Sequence, residues 1–298
     1  VPYYVANSVV VVGEDAVLLV DSSAGTNEAR ALREAIRRVT DRPVRYVVDT
    51  HFHFDHALGH AAFPEALTIG HDATRAGLVL GVRQPTLARN LAGMTGRIAG
   101  LEAETEKDEI HKARLRGQAT ALETYRRQLA ALTPSPSDLT FGQSLTVWLG
   151  DREVRVLHLG RGHTAGDTVV YLPKERLVCT GDLFNGYIGY MGDAYVDEWA
   201  DTLGRLAALD FETVVAGHGK PLRGKEALPA VQACLRDLWR QAVSFKTSGL
   251  SAAEAASRID LTAHAGRFPR LAEKGFEPLA VERIYAVIDE RQARAAEK

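Results

Sequence analysis

The segment Thr50–His56 reads Thr-His-Phe-His-Phe-Asp-His, which places three histidines and one aspartate within six positions. Imidazole nitrogens and carboxylate oxygens are donors for divalent metal ions, with zinc favoured first and iron or manganese as alternatives. His51 and His53 lie two positions apart, so in an extended loop they can project to the same side, while Asp55 and His56 can point to a neighbouring position. One loop of this composition can therefore serve two metal ions.

Three further segments carry the same ligand types, and each adjoins an apolar run typical of a β-strand. They contain His163 in Gly-Arg-Gly-His-Thr, Asp182 in Cys-Thr-Gly-Asp and His218 in Ala-Gly-His-Gly. A single histidine between glycines is weak evidence, because such a residue often serves only a turn. Four such features in one chain favour a metal site over solvated polar loops.

The elements that would position these residues alternate between strands and helices. Runs of β-branched residues predict strands within Ser8–Asp21 and at Val44–Asp49, and the apolar spacing of Thr26–Val39 predicts a helix between them. Further strands are predicted within 145–182 and at 213–219. Because strand ends in layered α/β proteins carry loops, the metal-ligand segments are expected on loops at the strand ends.

Helical patterns occupy two other parts of the chain. Residues from about 72 to 135 contain few β-branched runs, and Glu102–Leu132 is rich in helix formers, which predicts a helical insertion. The pattern from about 224 to 298 predicts a C-terminal helical extension. We assign the whole of 1–298 to one domain, whose insertion is either a lid over a cleft or a surface for homodimer formation.

The composition excludes several classes of function. The chain has 298 residues, 25% of them charged, and a formal net charge of -2, so it lacks the basic field that nucleic acid binding requires. No apolar run approaches the roughly 18 residues of a membrane helix, and the expected partner is a small-molecule substrate. The sequence begins at Val1 without the basic start of a signal peptide, but a trimmed form is an alternative, which leaves both the cytoplasm and export to the periplasm open.

The ordered motifs HxHxDH, GHT, GD and GHG resemble those of the metallo-β-lactamase-fold hydrolases, from about Asn7 to Gly219. The resemblance implies a four-layer αββα sandwich with two central sheets, together with a dinuclear centre that would hold two zinc ions. It implies that the first ion is bound by His51, His53 and His163. It implies that the second ion is bound by Asp55, His56 and His218, and that Asp182 bridges the two.

A dinuclear centre of this kind would carry out hydrolysis. Two divalent ions about 3.5 to 4 Å apart lower the pKa of a shared water toward neutrality and polarise the scissile bond. Asp55 and Asp182 are the predicted catalytic residues, because they would fix the resulting hydroxide and relay a proton to the leaving group. Asp21 is predicted to orient a ligand histidine, with a strand-terminal turn as the alternative, and His60 is a weaker candidate for the same role.

The residues around Asp182 bear on the substrate. Asp182 stands where a large class of true β-lactamases has a cysteine, which favours the broader hydrolase branch that includes glyoxalase II-like thioesterases. The cysteine-rich segment of glyoxalase II is absent, which argues against glutathione thioesters. The loop that follows contains Tyr187, Tyr190 and Tyr195, which are candidates for lining a substrate pocket, with packing against the insertion as the alternative.

The leading hypothesis is a dinuclear zinc hydrolase that cleaves a small ester, thioester, lactone or β-lactam. Genuine β-lactamase activity is an alternative, and so is an iron-loaded oxidoreductase of the dioxygenase or flavodiiron type with the same ligands. A third reading is a non-catalytic metal-binding or interaction module. The substrate, the metal and the bond cleaved stay open, because pocket walls come from loops whose geometry a sequence does not give.

Overall fold

The computed structural model describes residues 6–80, 85–104, 109–131 and 135–296 of the chain. The chain divides into two compact units, one of Val1–Thr140 with Leu149–Arg152 and one of Phe141–Trp148 with Glu153–Lys298. Each unit combines helices with a β-sheet built mainly from its own strands, so the predicted α/β class is confirmed. No helix within the described ranges is both long and apolar enough to cross a membrane.

The first unit is built around a five-stranded sheet in the order β1-β2-β3-β4-β5. Its strands are β1 (Val9–Val12), β2 (Val17–Val20), β3 (Val44–Val48), β4 (Leu67–His71) and β5 (Leu139–Phe141). Its helices are α1 (Thr26–Val39), α2 (Phe54–Ala57), α3 (Asp72–Val79), α4 (Pro85–Ala103) and α5 (Glu109–Ala131). Helix α1 and strand β3 lie where the apolar patterns predict them, since the helix has the predicted bounds and the strand stops one residue early.

The parallel pairing of β2 with β3 determines where the metal-ligand segment begins. Val20 is paired with Val48 at the last positions of the two strands, so both carboxyl ends lie at one edge of the sheet. Asp21 follows β2 and Asp49 follows β3, and the Asp21 backbone N–H donates to the Val48 carbonyl at 2.9 Å. The chain therefore delivers the segment after β3 next to the loop that starts at Asp21.

The helical region predicted as an insertion contributes α3, α4 and α5 to this unit. Helix α5 lies within the predicted Glu102–Leu132 stretch, while residues 105–108 and 132 of that stretch lie outside the described residues. Helices α4 and α5 pack through a buried apolar cluster that includes Leu87, Leu122 and Leu129. Phe54 of α2 belongs to the same cluster, so these helices support the segment that bears the predicted ligands.

The second unit contains a six-stranded sheet in the order β11-β10-β9-β8-β7-β6. Its strands are β6 (Ser144–Leu149), β7 (Arg152–Leu157), β8 (Val169–Leu172), β9 (Leu177–Gly181), β10 (Thr213–Ala216) and β11 (Leu222–Arg223). Its helices are α6 (Val196–Ala207), α7 (Leu228–Thr247), α8 (Ala252–Arg258) and α9 (Pro278–Ala296). Strands β9 and β10 are parallel, so the residues that follow them, Asp182 and His218, emerge at the same edge.

Helices α6, α7 and α9 of the second unit share one continuous apolar core. Leu203 of α6, Leu238 of α7 and Ile284 of α9 are fully buried within it. The 3.6-residue spacing of apolar positions in α6 turns one face of the helix toward this core and leaves the other to polar side chains. The core therefore fixes α6, which contacts the loops that carry His163 and Asp182, as described below.

We expect Leu203→Ala to lower the free energy of unfolding by about 2–5 kcal/mol, because it leaves a cavity in this core. The control is Leu80→Ala, since that side chain is 53% exposed and its truncation should change stability by less than about 0.5 kcal/mol. Urea unfolding followed by circular dichroism measures both. Equal losses for the two variants would contradict the assignment of Leu203 to the core.

Candidate metal centre

The Asp21 carboxylate organises the predicted ligand segment of the first unit. It accepts hydrogen bonds from the Thr50 backbone N–H at 2.8 Å and from the Thr50 hydroxyl at 2.9 Å. It also shares a 2.7 Å hydrogen bond with Nδ1 of His56. Asp21 and His56 are buried, and a side chain at Gly59 would collide with the Ser22 carbonyl, 1.9 Å from its Cβ. Asp21 therefore contacts His56, one of the candidate ligand histidines, through its Nδ1.

His51, His53, Asp55 and His56 bring their donor atoms together within this unit. Nε2 of His51 lies 3.0 Å from Nδ1 of His53, and Nε2 of His56 lies 3.7 Å from a carboxylate oxygen of Asp55. Nδ1 of His51 is 3.1 Å from the Thr50 hydroxyl, so it is the other ring nitrogen of His51 that turns toward His53. All four side chains are buried. Fixing one ring nitrogen and presenting the other is the arrangement usual for metal-binding histidines.

The ring of His60, the weaker candidate for orienting a ligand histidine, lies against the carboxylate of Asp49. Its Nε2 is 2.5 Å from Oδ1 of Asp49, at the end of β3, and the Ser137 hydroxyl donates to Oδ2 of the same carboxylate at 3.3 Å. Burial lowers the pKa of His60, but the neighbouring Asp49 carboxylate outweighs it and raises the pKa above its ordinary value. His60 therefore connects the short 3₁₀ helix Leu58–Ala62 to Asp49, the residue before Thr50.

The ligand candidates of the second unit converge on the Asp182 carboxylate. Its Oδ2 lies 3.6 Å from Nε2 of His163, and its Oδ1 lies 3.4 Å from Nε2 of His218. The backbone N–H of His218 donates to the side-chain oxygen of Asn185 at 3.1 Å, which fixes the His218 loop to the segment after Asp182. One carboxylate thus faces two imidazoles, with one oxygen toward each.

The loop that carries His163 is held by a buried carboxylate four residues further along. Asp167 accepts from the Thr164 backbone N–H at 3.0 Å and from the Thr164 hydroxyl at 2.6 Å. Burial raises the pKa of the Asp167 carboxyl to about 7, although the Thr164 hydrogen bonds oppose this rise. Asp167 therefore closes the turn immediately after His163.

Helix α6 holds the backbone of both ligand loops in the second unit. The Trp199 indole N–H donates to the Leu183 carbonyl at 2.9 Å, and the Thr202 hydroxyl donates to the Arg161 carbonyl at 2.7 Å. The indole ring also lies edge-on to His163, with 5.8 Å between ring centroids. One helix therefore fixes the segments on either side of the Asp182 carboxylate.

The three tyrosines predicted as pocket residues occupy two kinds of position. Tyr187 and Tyr190 line a crevice together with His163 and Asp182. The Tyr195 ring instead lies between two guanidinium groups, with Cζ of Arg161 4.0 Å and Cζ of Arg283 4.5 Å from its centroid. Cation–π contacts of this kind suit a structural role for Tyr195.

Several residues that support the ligands were not singled out from the sequence. They are Asp49, Thr50, Asp167, Asn185 and Trp199. Asp49 and Thr50 directly precede His51, so proximity to the candidate ligands was a usable signal. The partners of Asn185 and Trp199 lie 33 and 16 positions away, and neither residue belongs to a pattern that points to them.

The family profile described as the metallo-beta-lactamase superfamily matches residues 2–218. A linear primary-alkylsulfatase from a Pseudomonas species is 26% identical over 294 residues, which covers 91% of this chain and 53% of that protein. The chain therefore spans about half the length of this relative.

Two solved structures show the same fold. A stereoselective inverting sec-alkylsulfatase from Pseudomonas sp. matches 94% of this chain and 46% of its own, with 16% identity and a TM-score of 0.67. A metallo-beta-lactamase from Pontibacter korlensis matches 78% of this chain and 87% of its own, with 20% identity and a TM-score of 0.55. At these identities the likeness establishes the fold alone.

We expect Asp167→Ala to lower the free energy of unfolding by about 1–3 kcal/mol, because it leaves the buried N–H and hydroxyl of Thr164 without their acceptor. Asp167→Asn retains a carbonyl oxygen in the same place and should lose less. Thermal and urea unfolding of the two variants provide the measurement. If alanine were tolerated as well as asparagine, the hydrogen bonds to Thr164 would not be what holds this turn.

Proposed function

Because the chain belongs to the metallo-β-lactamase superfamily, we propose that it is a metal-dependent hydrolase that binds two divalent ions, with zinc as the leading candidate. The proposed ligands of the first ion are His51, His53 and His163. The proposed ligands of the second ion are Asp55, His56 and His218, with Asp182 shared by both. The candidate ligands within each unit support this proposal, because they consist of imidazole nitrogens and carboxylate oxygens with converging donor atoms.

Bound divalent ions would lower the pKa of water toward neutrality and polarise an ester oxygen. Residues of the chain would orient the ligands and transfer protons in that chemistry. Asp21 holds the ring of His56 through Nδ1, so Nε2 is the nitrogen presented to an ion. Asp55 and Asp182 are proposed to accept the proton of the attacking water and to pass it to the leaving group, because each carboxylate lies beside the ligand imidazoles.

For the substrate we propose a sulfate ester of an alkyl chain. The observation that carries this choice is the extent of the likeness, because the two alkylsulfatase matches cover 91% and 94% of the chain. The β-lactamase match covers 78%, and the superfamily profile ends at residue 218. In the proposed reaction, water and the alkyl sulfate give the alcohol and hydrogen sulfate. This narrows the broader class of small esters that the sequence motifs suggest.

We expect protein purified without chelators to contain about two equivalents of zinc and to release sulfate from decyl sulfate. His53→Ala should reduce turnover by at least about 100-fold while leaving the circular dichroism spectrum unchanged, since it removes a proposed ligand. His111→Ala on α5 is the matched control and should keep activity. Elemental analysis, ion chromatography of sulfate and a parallel nitrocefin assay provide the measurements.

Other outcomes of the same assays would overturn the proposal. Bound iron with oxygen consumption and no hydrolysis would indicate the oxidoreductase alternative. Nitrocefin turnover without sulfate release would indicate a β-lactamase. Full activity of His53→Ala on decyl sulfate would show that the histidine segment is not the reaction site.

We expect Asp21→Asn to weaken metal binding by about 10–100-fold, because the amide cannot provide the two acceptor oxygens that hold Thr50 and His56. Competition with a chromophoric chelator measures the affinity. The control is Asp15→Asn, whose exposed carboxylate pairs with Arg45. Unchanged affinity in Asp21→Asn would remove Asp21 from the proposed metal site.

A further inference from the structure

An apolar cavity in the second unit is not used by the chemistry described above. It has a volume of about 350 Å³ and is lined by Tyr187, Ile188 and the segment Arg267–Leu271. This volume falls in the range of about 300 to 1,000 Å³ that is typical of small-molecule sites. The segment Arg267–Leu271 lies beyond residue 218, where the superfamily profile ends, so the family motifs assign it no role.

The cavity adjoins the crevice that contains two of the proposed metal ligands. Tyr187 and Ile188 line both spaces, and the crevice also includes His163 and Asp182. The two residues thus form a wall common to the cavity and to the surroundings of the Asp182 carboxylate. Tyr187 and Ile188 are therefore the residues past which a ligand with one end near Asp182 would extend to reach the cavity.

The cavity has an apolar floor and a cationic rim. Phe268 and Leu271 are buried in the main core of the unit, whereas Arg267 and Arg270 are exposed. Within the part of the chain that the structure describes, no carboxylate forms an ion pair with either guanidinium group. Arg236 and Arg240 on α7, by contrast, pair with Asp201 and Asp237.

The backbone that presents the two arginines is held in place on both sides. The backbone N–H groups of Arg267 and Phe268 donate to the His264 carbonyl at 3.1 and 2.9 Å. The backbone N–H of Leu271 donates to the Phe268 carbonyl at 2.9 Å. The His264 ring in turn lies 3.2 Å from the Asp237 carboxylate of α7. The two guanidinium groups are therefore carried on an ordered turn above apolar side chains, a combination that suits an amphiphilic anion.

We infer that this cavity binds the apolar body of a substrate whose far end carries a second anionic group, and that Arg267 and Arg270 bind that group. The inference rests on the proposed function only for the identity of the reacting end. It specifies the substrate class more narrowly, as an alkyl sulfate whose chain ends in a carboxylate or a similar anion. An aliphatic body suits Ile188, Phe268 and Leu271, and a carboxylate can accept paired N–H groups from a guanidinium.

The test compares two probes of equal chain length, octan-1-ol and octanoate, which differ in whether the chain ends in an anionic group. Isothermal titration calorimetry of the full chain should show that octanoate binds at least about tenfold more tightly, as charge-assisted hydrogen bonds predict. In the double variant Arg267→Gln/Arg270→Gln this preference should vanish while octan-1-ol affinity stays within about twofold. Arg37→Gln/Arg38→Gln on α1 is the control, because it removes the same charge elsewhere.

The inference is overturned if the wild-type chain binds octan-1-ol and octanoate equally, or if the double variant keeps the preference with its unfolding temperature unchanged. Sulfate release from decyl sulfate is measured separately on the same preparations. Absent sulfate release with an arginine-dependent preference for octanoate would refute the proposed reaction and leave the anion site standing. Sulfate release without such a preference would support the proposed reaction and refute the anion site.

Discussion

A buried carboxylate that must find hydrogen-bond donors governs the geometry of the predicted ligand segment. Asp21 is 1% exposed, and an ionised carboxylate at such depth is costly unless donors surround it. Its donors come from Thr50 and His56, on either side of His51 and His53. Because the Asp21 carboxylate accepts from both Thr50 and His56, the segment Thr50–His56 folds back onto the end of β2. Asp21 also has a backbone φ of 59°, a left-handed conformation that aspartate tolerates better than most residues.

The features that were predicted from sequence share a local origin. Helix α1 and strand β3 follow from apolar periodicity within a few residues, and the ligand candidates follow from histidines and aspartates placed at strand ends. The parallel pairing of β2 with β3 then brings Asp21 beside the ligand segment, as a strand-helix-strand order implies. For this reason the fold class and the clustering of the candidate ligands within each unit could be predicted from the sequence.

The features that were missed depend on polar partners far apart in the sequence. His60 was the weaker candidate for orienting a ligand histidine, and its ring pairs with Asp49. Tyr195 was a candidate for lining a substrate pocket, with packing as the alternative, and its ring lies between Arg161 and Arg283, which come from distant segments. Periodicity identifies which face of an element is buried, but it carries no information on which polar side chain meets which once the elements pack. Which polar side chains pair with each other around a site therefore has to be determined from the structure.

Helix α6 contacts both the loop of His163 and the loop of Asp182, so its unfolding would affect the two loops together. Trp199, Thr202 and Arg205 lie at three-residue intervals, so they share one face of the helix and donate to the carbonyls of Leu183, Arg161 and Leu159. Unfolding this helix would break all three contacts together. The loops of His163 and Asp182 would therefore lose their contacts with α6 together when that helix opens.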